Sequence, residues 1–314
     1  MHGQGPAEGD YTYSCFGLRI RSKIALPEIS TSPAPFDDRD RPVVEIRFGA
    51  VPETLPDARR SGHGLQVDGG DVLLRVKDTA RFLVREGREI VVDATPGGSP
   101  RNVRLFLLGS AFGILCHQRG LLPLHANAIV VNGATVAFAG SSGAGKSTLA
   151  AYFQRAGYEI LCDDVCVVSF DADGRPAAWP GLPRLKLWRD AAASFGHESD
   201  GLERAVDGLE KYHVPFSRLA SAGPFPFERL YVLQVAEPGL ASEITRLRGA
   251  VAYETILSQT YRSQYLGPMG LSRRHLDLGS ALLKHAQVYS APRRWGYEVF
   301  AQEVGKIERH LLGT

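Results

Sequence analysis

The chain has 314 residues, of which 44% are hydrophobic and 22% are charged, and its net charge is +2. This is the composition of an ordinary globular protein with enough residues for one large or two smaller domains, and it excludes a disordered or fibrous chain. The small net charge, without a basic cluster, argues against a nucleic-acid partner.

Cysteine usage and hydropathy predict a cytoplasmic protein. The four cysteines form no C-x-x-C pair and no zinc-type spacing with histidine, which favours a reducing compartment. The first residues, 1–6, lack the apolar core of a signal peptide. The most apolar run, Leu105–Cys116, is too short to span a bilayer, so we interpret it as a buried helix and expect no membrane contact.

The sequence pattern of the first third of the chain predicts β-structure. Residues 1–10 are rich in glycine and polar side chains and are expected to be a disordered tail. Residues 11–95 are expected to form a β-rich N-terminal domain with antiparallel strands, because short turns containing Gly or Asp separate the strand patterns. The predicted strands lie at 11–20, 43–48, 72–76, 81–85 and 89–93.

Residues 96–314 are expected to form a second domain of mixed helices and strands. Ser99 and Pro100 suit the N-cap and first position of a helix that should stop at Gly120. Asn132-Gly133 predicts a hairpin turn between two strands. The predicted strands lie at 124–131, 134–139, 158–164, 165–170 and 230–235, and the predicted helices at 147–155, 252–264, 274–289 and 295–311.

One motif indicates nucleotide binding. Residues 140–148 fit G-x-x-x-x-G-K-[ST] at every fixed position and lie between a strand pattern and a helix pattern, as a phosphate loop requires. We expect the backbone N–H groups to bind phosphates, with Lys146 at the β- and γ-phosphates and the Ser147 hydroxyl on Mg²⁺. The predicted nucleotide-binding residues are Gly140, Ser141, Ser142, Gly143, Ala144, Gly145, Lys146, Ser147 and Thr148.

Two adjacent acids follow the next predicted strand. Asp163 and Asp164 lie at its carboxyl end, the edge at which α/β sheets bind ligands. Phosphoryl transfer needs one carboxylate on the metal and one that orients the acceptor hydroxyl, and the pair fits both needs. A solvated turn is the alternative interpretation, because adjacent acids also suit turns.

His125, the phosphate loop and the Asp163–Asp164 pair together resemble the C-terminal kinase domain of HPr kinase/phosphorylase, over about residues 120–190. The resemblance implies an α/β fold with a P-loop kinase core of the HPr kinase and phosphoenolpyruvate carboxykinase type, a β-rich N-terminal domain and a helical C-terminal region. The whole chain is more similar to divergent HPr-kinase-like proteins, some of which phosphorylate lasso-peptide precursors on a serine. The segments that carry this closer resemblance are Phe16-Gly17-Leu18, Leu26-Pro27-Glu28, Pro183–Trp188 and Pro292-Arg293-Arg294.

The resemblance implies an ATP- and Mg²⁺-dependent serine kinase acting on a peptide or small protein. Asp163 would be the base toward the acceptor and Asp164 would serve the metal, directly or through water, although the two roles could be exchanged. Lys146 would act at the phosphates, and His125 would position or polarise the acids and phosphates. The alternative for His125 is a hydrogen-bonded histidine at a strand start. The chain could also form a homo-oligomer.

The segment 183–188 departs from the family pattern. The bifunctional enzymes carry an acid in a Glu-Ile-Arg-Gly-Leu-Gly-like segment, whereas this chain has no carboxylate there, so we expect little phosphorylase activity. Arg184 and Lys186 would share one face of a strand and could contact phosphates or an acidic peptide. Solvated side chains are the alternative, and Lys211 and Arg218 are further candidates of the same kind.

Two other functions stay open at this point. The first is a small-molecule hydroxyl kinase with the same core. The second is a non-catalytic nucleotide-dependent regulator, which would need neither the second acid nor His125. The N-terminal β region could dock a peptide substrate, or it could only cover a sheet face.

Overall fold

The computed structural model describes residues 8–29, 43–60, 64–182, 184–189, 211–215, 220, 223–236, 243–294 and 296–313. Within these ranges the chain has a mixed α/β fold with two large sheets and one two-stranded sheet. None of the described helices combines the length and the apolar character that crossing a membrane requires.

The first sheet is built from residues before position 95. Its strands, in pairing order, are β1 (Glu8–Cys15), β2 (Leu18–Ile24), β3 (Val43–Phe48), β8 (Glu89–Ala94), β7 (Ala80–Arg85), β6 (Asp71–Val76), β5 (Leu65–Asp68) and β4 (Arg59–Arg60). The predicted strands are confirmed, although the pattern at 11–20 divides into two. β1 includes residues 8–10 of the stretch predicted to be disordered, and residues 1–7 lie outside the described ranges.

The expectation of a purely antiparallel first sheet is wrong. β3 pairs in parallel with both β2 and β8. Long connections separate these strands in sequence, and parallel neighbours require such crossovers, whereas the short turns of the pattern could only predict hairpins. The division of the chain into two domains at residue 95 stays a prediction.

A helix follows the first sheet and shares its core. Ser99 caps α1 (Pro100–Phe106), because its Oγ accepts from the N–H of Asn102 at 3.4 Å. The helix passes through a π-helical segment (Leu107–Ala111), which the sequence pattern did not predict, into α2 (Phe112–Gln118). Buried side chains from both elements pack together, among them Phe82, Val92, Val103, Phe112 and Leu115.

The second sheet has the strand of the phosphate-loop motif near its centre. β11 (Ala134–Gly140) pairs in parallel with β17 (Phe225–Val235), and β17 pairs in parallel with β19 (Gln287–Arg293). The predicted Asn132-Gly133 turn joins β11 to an antiparallel neighbour, with φ values of 51° and 78°. The other strands are β9 (Leu122–Leu124), β10 (Ala126–Val131), β12 (Glu159–Cys162), β13 (Cys166–Phe170), β14 (Pro176–Ala178) and β18 (Thr245–Leu247).

The C-terminal region is less helical than predicted. Its helices are α4 (Gly249–Gln259), α5 (Ser272–His285) and α6 (Tyr297–Leu312), and a 3₁₀ turn covers Ser263–Tyr265. The end of the predicted helix 274–289 belongs instead to β19. Val288 and Ala291 of this strand are buried, and a short buried run does not distinguish a strand from a helix by its periodicity.

The two-stranded sheet packs against the helix that follows the phosphate loop. It consists of β15 (Arg184–Trp188) and β16 (Lys211–Pro215), and the helix is α3 (Lys146–Arg155). The buried residues of this contact are Ala150, Ala151, Leu185, Leu187 and Val214.

Candidate active site

The phosphate-loop motif forms a turn between β11 and α3. β11 is buried along its whole length, and α3 begins directly after Gly145, whose φ is 78°. Gly140 has a φ of 144°, and a Cβ at this position would lie 2.6 Å from the carbonyl oxygen of Leu233. Both positions therefore require glycine. The first N–H groups of α3 have no acceptor within the helix, which suits this end to phosphate oxygens.

Lys146 lies within the loop that it follows in sequence. Its side chain is buried, and Nζ donates to the carbonyl oxygens of Gly140 at 2.8 Å and Ser141 at 3.1 Å. The lysine thus connects the first turn of α3 to the start of the loop. Its ammonium group supplies the positive charge that a phosphate site requires.

Three side chains from distant parts of the chain support the loop. Oε1 of Gln259, the last residue of α4, accepts from the Gly140 N–H at 2.9 Å. The Asn127 amide donates to the Lys146 carbonyl, and the Arg293 guanidinium donates to the Ala144 carbonyl. Sequence reasoning assigned none of them a site role. The available signals were that Asn127 is a polar residue within an apolar strand pattern and that Arg293 belongs to the Pro292-Arg293-Arg294 segment of the family resemblance.

Burial of Arg293 beside the loop has an electrostatic consequence. Desolvation lowers the pKa of its guanidinium, and the nearby charge of Glu303 opposes that effect. The guanidinium carbon also lies 5.9 Å from the centre of the Phe300 ring. Arg293 therefore joins β19 and α6 to the phosphate loop.

Asp163 connects the acid pair to the loop. It is 5% exposed, and its Oδ1 accepts from the Ser147 hydroxyl at 3.2 Å. Two oxygen ligands this close suit Mg²⁺, which binds to one or two protein groups together with the phosphates of its substrate. Within the described ranges, no three His, Cys, Asp or Glu side chains cluster to hold a metal by themselves. The residues present thus fit a magnesium ion shared with a nucleotide.

Asp164 has a different environment from its neighbour. Its backbone is left-handed, with a φ of 71°, and its side chain is 31% exposed. Few residues other than glycine adopt this conformation, which costs about 1–3 kcal/mol and occurs often at functional sites. The acid pair is therefore a strained turn whose two carboxylates have different surroundings.

His125 is fixed against Asp164 at the break between β9 and β10. Its Nδ1 lies 2.9 Å from the Asp164 carbonyl oxygen and 3.5 Å from Oδ1 of the same residue. Because a carbonyl oxygen only accepts, Nδ1 carries a proton in this hydrogen bond. The backbone N–H of His125 donates to the carbonyl of Gln259 at 2.7 Å. Gln259 thus contacts both the phosphate loop and this histidine.

The acid pair borders a cavity of about 610 Å³. One wall consists of residues between and after the first two strands, β1 and β2. A second wall is the α1 helix with its π-helical segment, and a third is the loop after α4. Besides His125, Asp163 and Asp164, the lining residues include Phe16, Glu28, Leu105, Phe106, Leu108, Leu182, Tyr261 and Arg262. An acceptor molecule in this cavity would lie next to both acids.

The structure thus brings together all the predicted catalytic and nucleotide-binding positions, including Thr148 in the first turn of α3. Arg184 and Lys186 belong to β15 and Lys211 to β16, but their side chains lie outside the described residues. Arg218 lies outside the described ranges altogether. The roles of these four basic residues stay predictions.

No protein-family model matches this chain, and no curated protein matches it. Among solved structures, the chain is similar to the HPr(Ser) kinase/phosphatase from Coxiella burnetii, with 12% sequence identity and a TM-score of 0.31. The match covers 61% of this chain and 97% of that chain. At this TM-score the likeness carries no argument about function, which is therefore proposed from the residues of the site.

Proposed function

We propose that the chain is an ATP- and Mg²⁺-dependent phosphotransferase for a serine or threonine hydroxyl of a peptide or small protein, with lasso-peptide precursors as one candidate substrate. The observation that carries the proposal is the hydrogen bond between Ser147 and Asp163. This hydrogen bond joins the helix after the phosphate-loop motif to an acid pair that borders a cavity. Phosphoryl transfer needs the phosphate site, the metal carboxylate and the acceptor site next to one another. An isolated glycine-rich turn would not require a carboxylate at this position.

The loop residues would bind the phosphates of the substrate ATP. Lys146 would exchange a carbonyl acceptor for a phosphate oxygen, because a hydrogen bond between two charged groups is stronger than one to a neutral carbonyl. Ser147 and Asp163 would hold Mg²⁺. When bound there, the ion would stabilise the negative charge of the transferring phosphoryl group.

The geometry supports exchanging the two acid roles that the family resemblance implied. Asp163 is buried and bonded to Ser147, so it is suited to the metal, whereas Asp164 is more exposed and is suited to receive a proton. The acceptor oxygen would bond to the γ-phosphorus as its proton passes to Asp164. The bond from that phosphorus to the bridging oxygen of ATP would break, which releases ADP. His125 would position Asp164 through its bond to the main chain.

A small-molecule hydroxyl kinase is a second candidate. It is favoured by the cavity volume of about 610 Å³, which is within the range of small-molecule sites. A non-catalytic regulator has less support, because it would need no second acid beside the cavity.

The test is transfer of labelled phosphate from ATP. The protein is incubated with Mg²⁺, labelled ATP and a pool of seryl and threonyl peptides, and mass spectrometry should detect peptides heavier by one phosphate group. Lys146→Met should abolish the transfer, whereas Lys284→Met, at an exposed lysine of α5, should not affect it. Transfer only to sugars, nucleosides or polyols would favour the second candidate, and ATP binding without any transfer would favour a regulator.

A further inference from the structure

Two residues that line the cavity, Glu28 and Arg262, each carry a buried polar atom that has no part in the mechanism derived above. Glu28 lies after β2 of the first sheet, and Arg262 lies after α4, so the two residues reach the cavity from distant parts of the chain. Within the described part of the structure, Glu28 Oε2 and Arg262 Nε are buried without a hydrogen-bond partner. Such atoms are rare in folded proteins, and each requires an explanation such as a ligand.

The charge of Glu28 is already compensated within the protein. Its Oε1 accepts from Nε of Arg104 on α1 at 2.7 Å, and the two side chains are 13% and 14% exposed. Oε2 therefore needs a hydrogen-bond donor but no second cation. A neutral donor, such as a peptide N–H, fits this requirement, whereas an ammonium group would leave an excess positive charge in a largely buried site.

Arg262 is held in place by the protein around it. Its φ of 58° is in the left-handed region, which residues other than glycine seldom adopt. Its guanidinium carbon lies 5.2 Å from the centre of the Tyr261 ring, and the Tyr261 N–H donates to the Pro123 carbonyl at 2.9 Å. The Nε–H of this guanidinium can donate to an oxygen acceptor, such as a carbonyl group.

The rest of the cavity suits a short stretch of peptide. A sphere of about 610 Å³ is roughly 10 Å across, the length of about three residues of extended chain. Its apolar residues can accept the side chains of a peptide, and its polar residues, such as Ser110, Ser258 and Gln264, can bind main-chain groups. The apolar residues of this lining are Phe16, Leu105, Phe106, Leu108 and Leu182.

We propose that Glu28 and Arg262 bind the main chain of a peptide acceptor, with Glu28 accepting from an amide N–H and Arg262 donating to an amide C=O. A peptide unit has its donor and its acceptor at a fixed spacing, and the proposal is that this spacing matches the two side chains. This inference rests on the proposed phosphotransferase function. It also gives Glu28, in the connection between β2 and β3 of the first sheet, a direct part in acceptor binding.

The first experiment offers the full chain, with ATP and Mg²⁺, two acceptor pools. One contains tripeptides with a central serine or threonine and with acetyl and amide blocked ends, and the other contains polyols, sugars and nucleosides. Phosphate is expected in the peptide pool. Transfer to the second pool alone, or ATP hydrolysis without transfer to either pool, overturns the amide assignment but not nucleotide chemistry. Absence of both ATP binding and hydrolysis overturns the phosphotransferase function as well.

The second experiment uses the best tripeptide and locates its contacts. The double substitution Glu28→Met with Arg104→Met replaces the ion pair by apolar side chains, and it should raise the KM for the peptide about 10- to 100-fold without changing the KM for ATP. Arg104→Met alone controls for loss of the ion pair, because it keeps Glu28 Oε2, and it should raise the peptide KM less. Arg262→Met should act like the double substitution.

An ester analogue of the same tripeptide gives a measurement that needs no variant. The ester lacks the amide N–H that Glu28 would bind, so its KM with the unmodified protein should be about 10-fold or more above that of the amide. With the Glu28→Met/Arg104→Met protein the two KM values should converge. Equal KM values for ester and amide with the unmodified protein would overturn the proposal, even if a variant failed to fold.

Discussion

Separate replacement of Asp163 and Asp164 by asparagine distinguishes the roles of the two acids. Asparagine has the size of aspartate and its side-chain oxygen can still accept from the Ser147 hydroxyl, which lies 3.2 Å from Oδ1 of Asp163. Both variants should therefore fold. Each removes one negative charge from a different environment, so the two kinetic consequences should differ.

The magnitudes follow from what each carboxylate contacts. Asp163→Asn should raise the Mg²⁺ concentration needed for half-maximal rate about 10- to 100-fold, because this carboxylate lies beside Ser147 at the proposed metal site, and excess Mg²⁺ should restore the rate. Asp164→Asn should lower kcat by about 10²- to 10⁴-fold through loss of the proton acceptor. That loss corresponds to about 3–5 kcal/mol of transition-state stabilisation, and the Mg²⁺ requirement should not change.

The assay is ADP release followed over a Mg²⁺ titration, with and without an acceptor peptide. Asp173→Asn, in the exposed turn after β13, is the matched control and should behave like the unmodified chain. If the two phenotypes exchange positions, Asp163 is the base, as the family resemblance implied. Near-normal rates for both variants would refute the reasoning, because the acids would then be only a turn.

Three further predictions concern Gln259, Gly140 and a buried histidine of α2, His117. Gln259→Leu leaves the Gly140 N–H without its acceptor, so it should lower the free energy of unfolding by about 1–3 kcal/mol and raise the KM for ATP. Thermal unfolding and nucleotide titration measure the two effects, with Gln302→Leu as the control, and unchanged values would contradict the prediction. Gly140→Ala should abolish ATP binding, because its Cβ would lie 2.6 Å from the Leu233 carbonyl oxygen, whereas Gly174→Ala, where no atom lies within 4 Å, should leave binding intact. Burial lowers the pKa of His117 from 6.5 to about 4, so between these pH values the folded chain binds fewer protons than the unfolded chain. The free energy of unfolding should therefore fall by up to roughly 3 kcal/mol as the pH falls from 6.5 to 4. His117→Gln should flatten that loss in acid unfolding curves, and an unchanged slope would be inconsistent with a neutral buried His117.

Features determined by neighbouring residues could be predicted from the sequence. The Ser99 cap, the Asn132-Gly133 turn and the strand–loop–helix order at residues 134–155 depend on backbone preferences and hydrogen bonds over a few positions. The hairpins of the first sheet follow from alternating strand patterns with short turns. These elements were identified correctly because their causes are local.

The features that were missed depend on contacts between distant parts of the chain. β19 is a strand because it pairs with β17 and β18, whereas the pattern of its first residues, 287–289, predicted the end of a helix. Gln259 reaches the phosphate loop across 119 positions, and Arg293 reaches it across 149. No local pattern specifies such partners, since their positions depend on how α4 and β19 pack against the sheet.

The acid pair illustrates how one backbone angle can separate two residues that the sequence makes equivalent. Asp163 and Asp164 follow the same strand, and alternation alone would only place them on opposite faces. In the structure Asp164 has a left-handed backbone, Asp163 Oδ1 accepts from Ser147, and the Asp164 carbonyl lies 2.9 Å from His125 Nδ1. Aspartate is among the few residues other than glycine that tolerate this conformation. His125 thus contacts the main chain of Asp164, and this hydrogen bond stabilises the turn in which the two carboxylates have different surroundings.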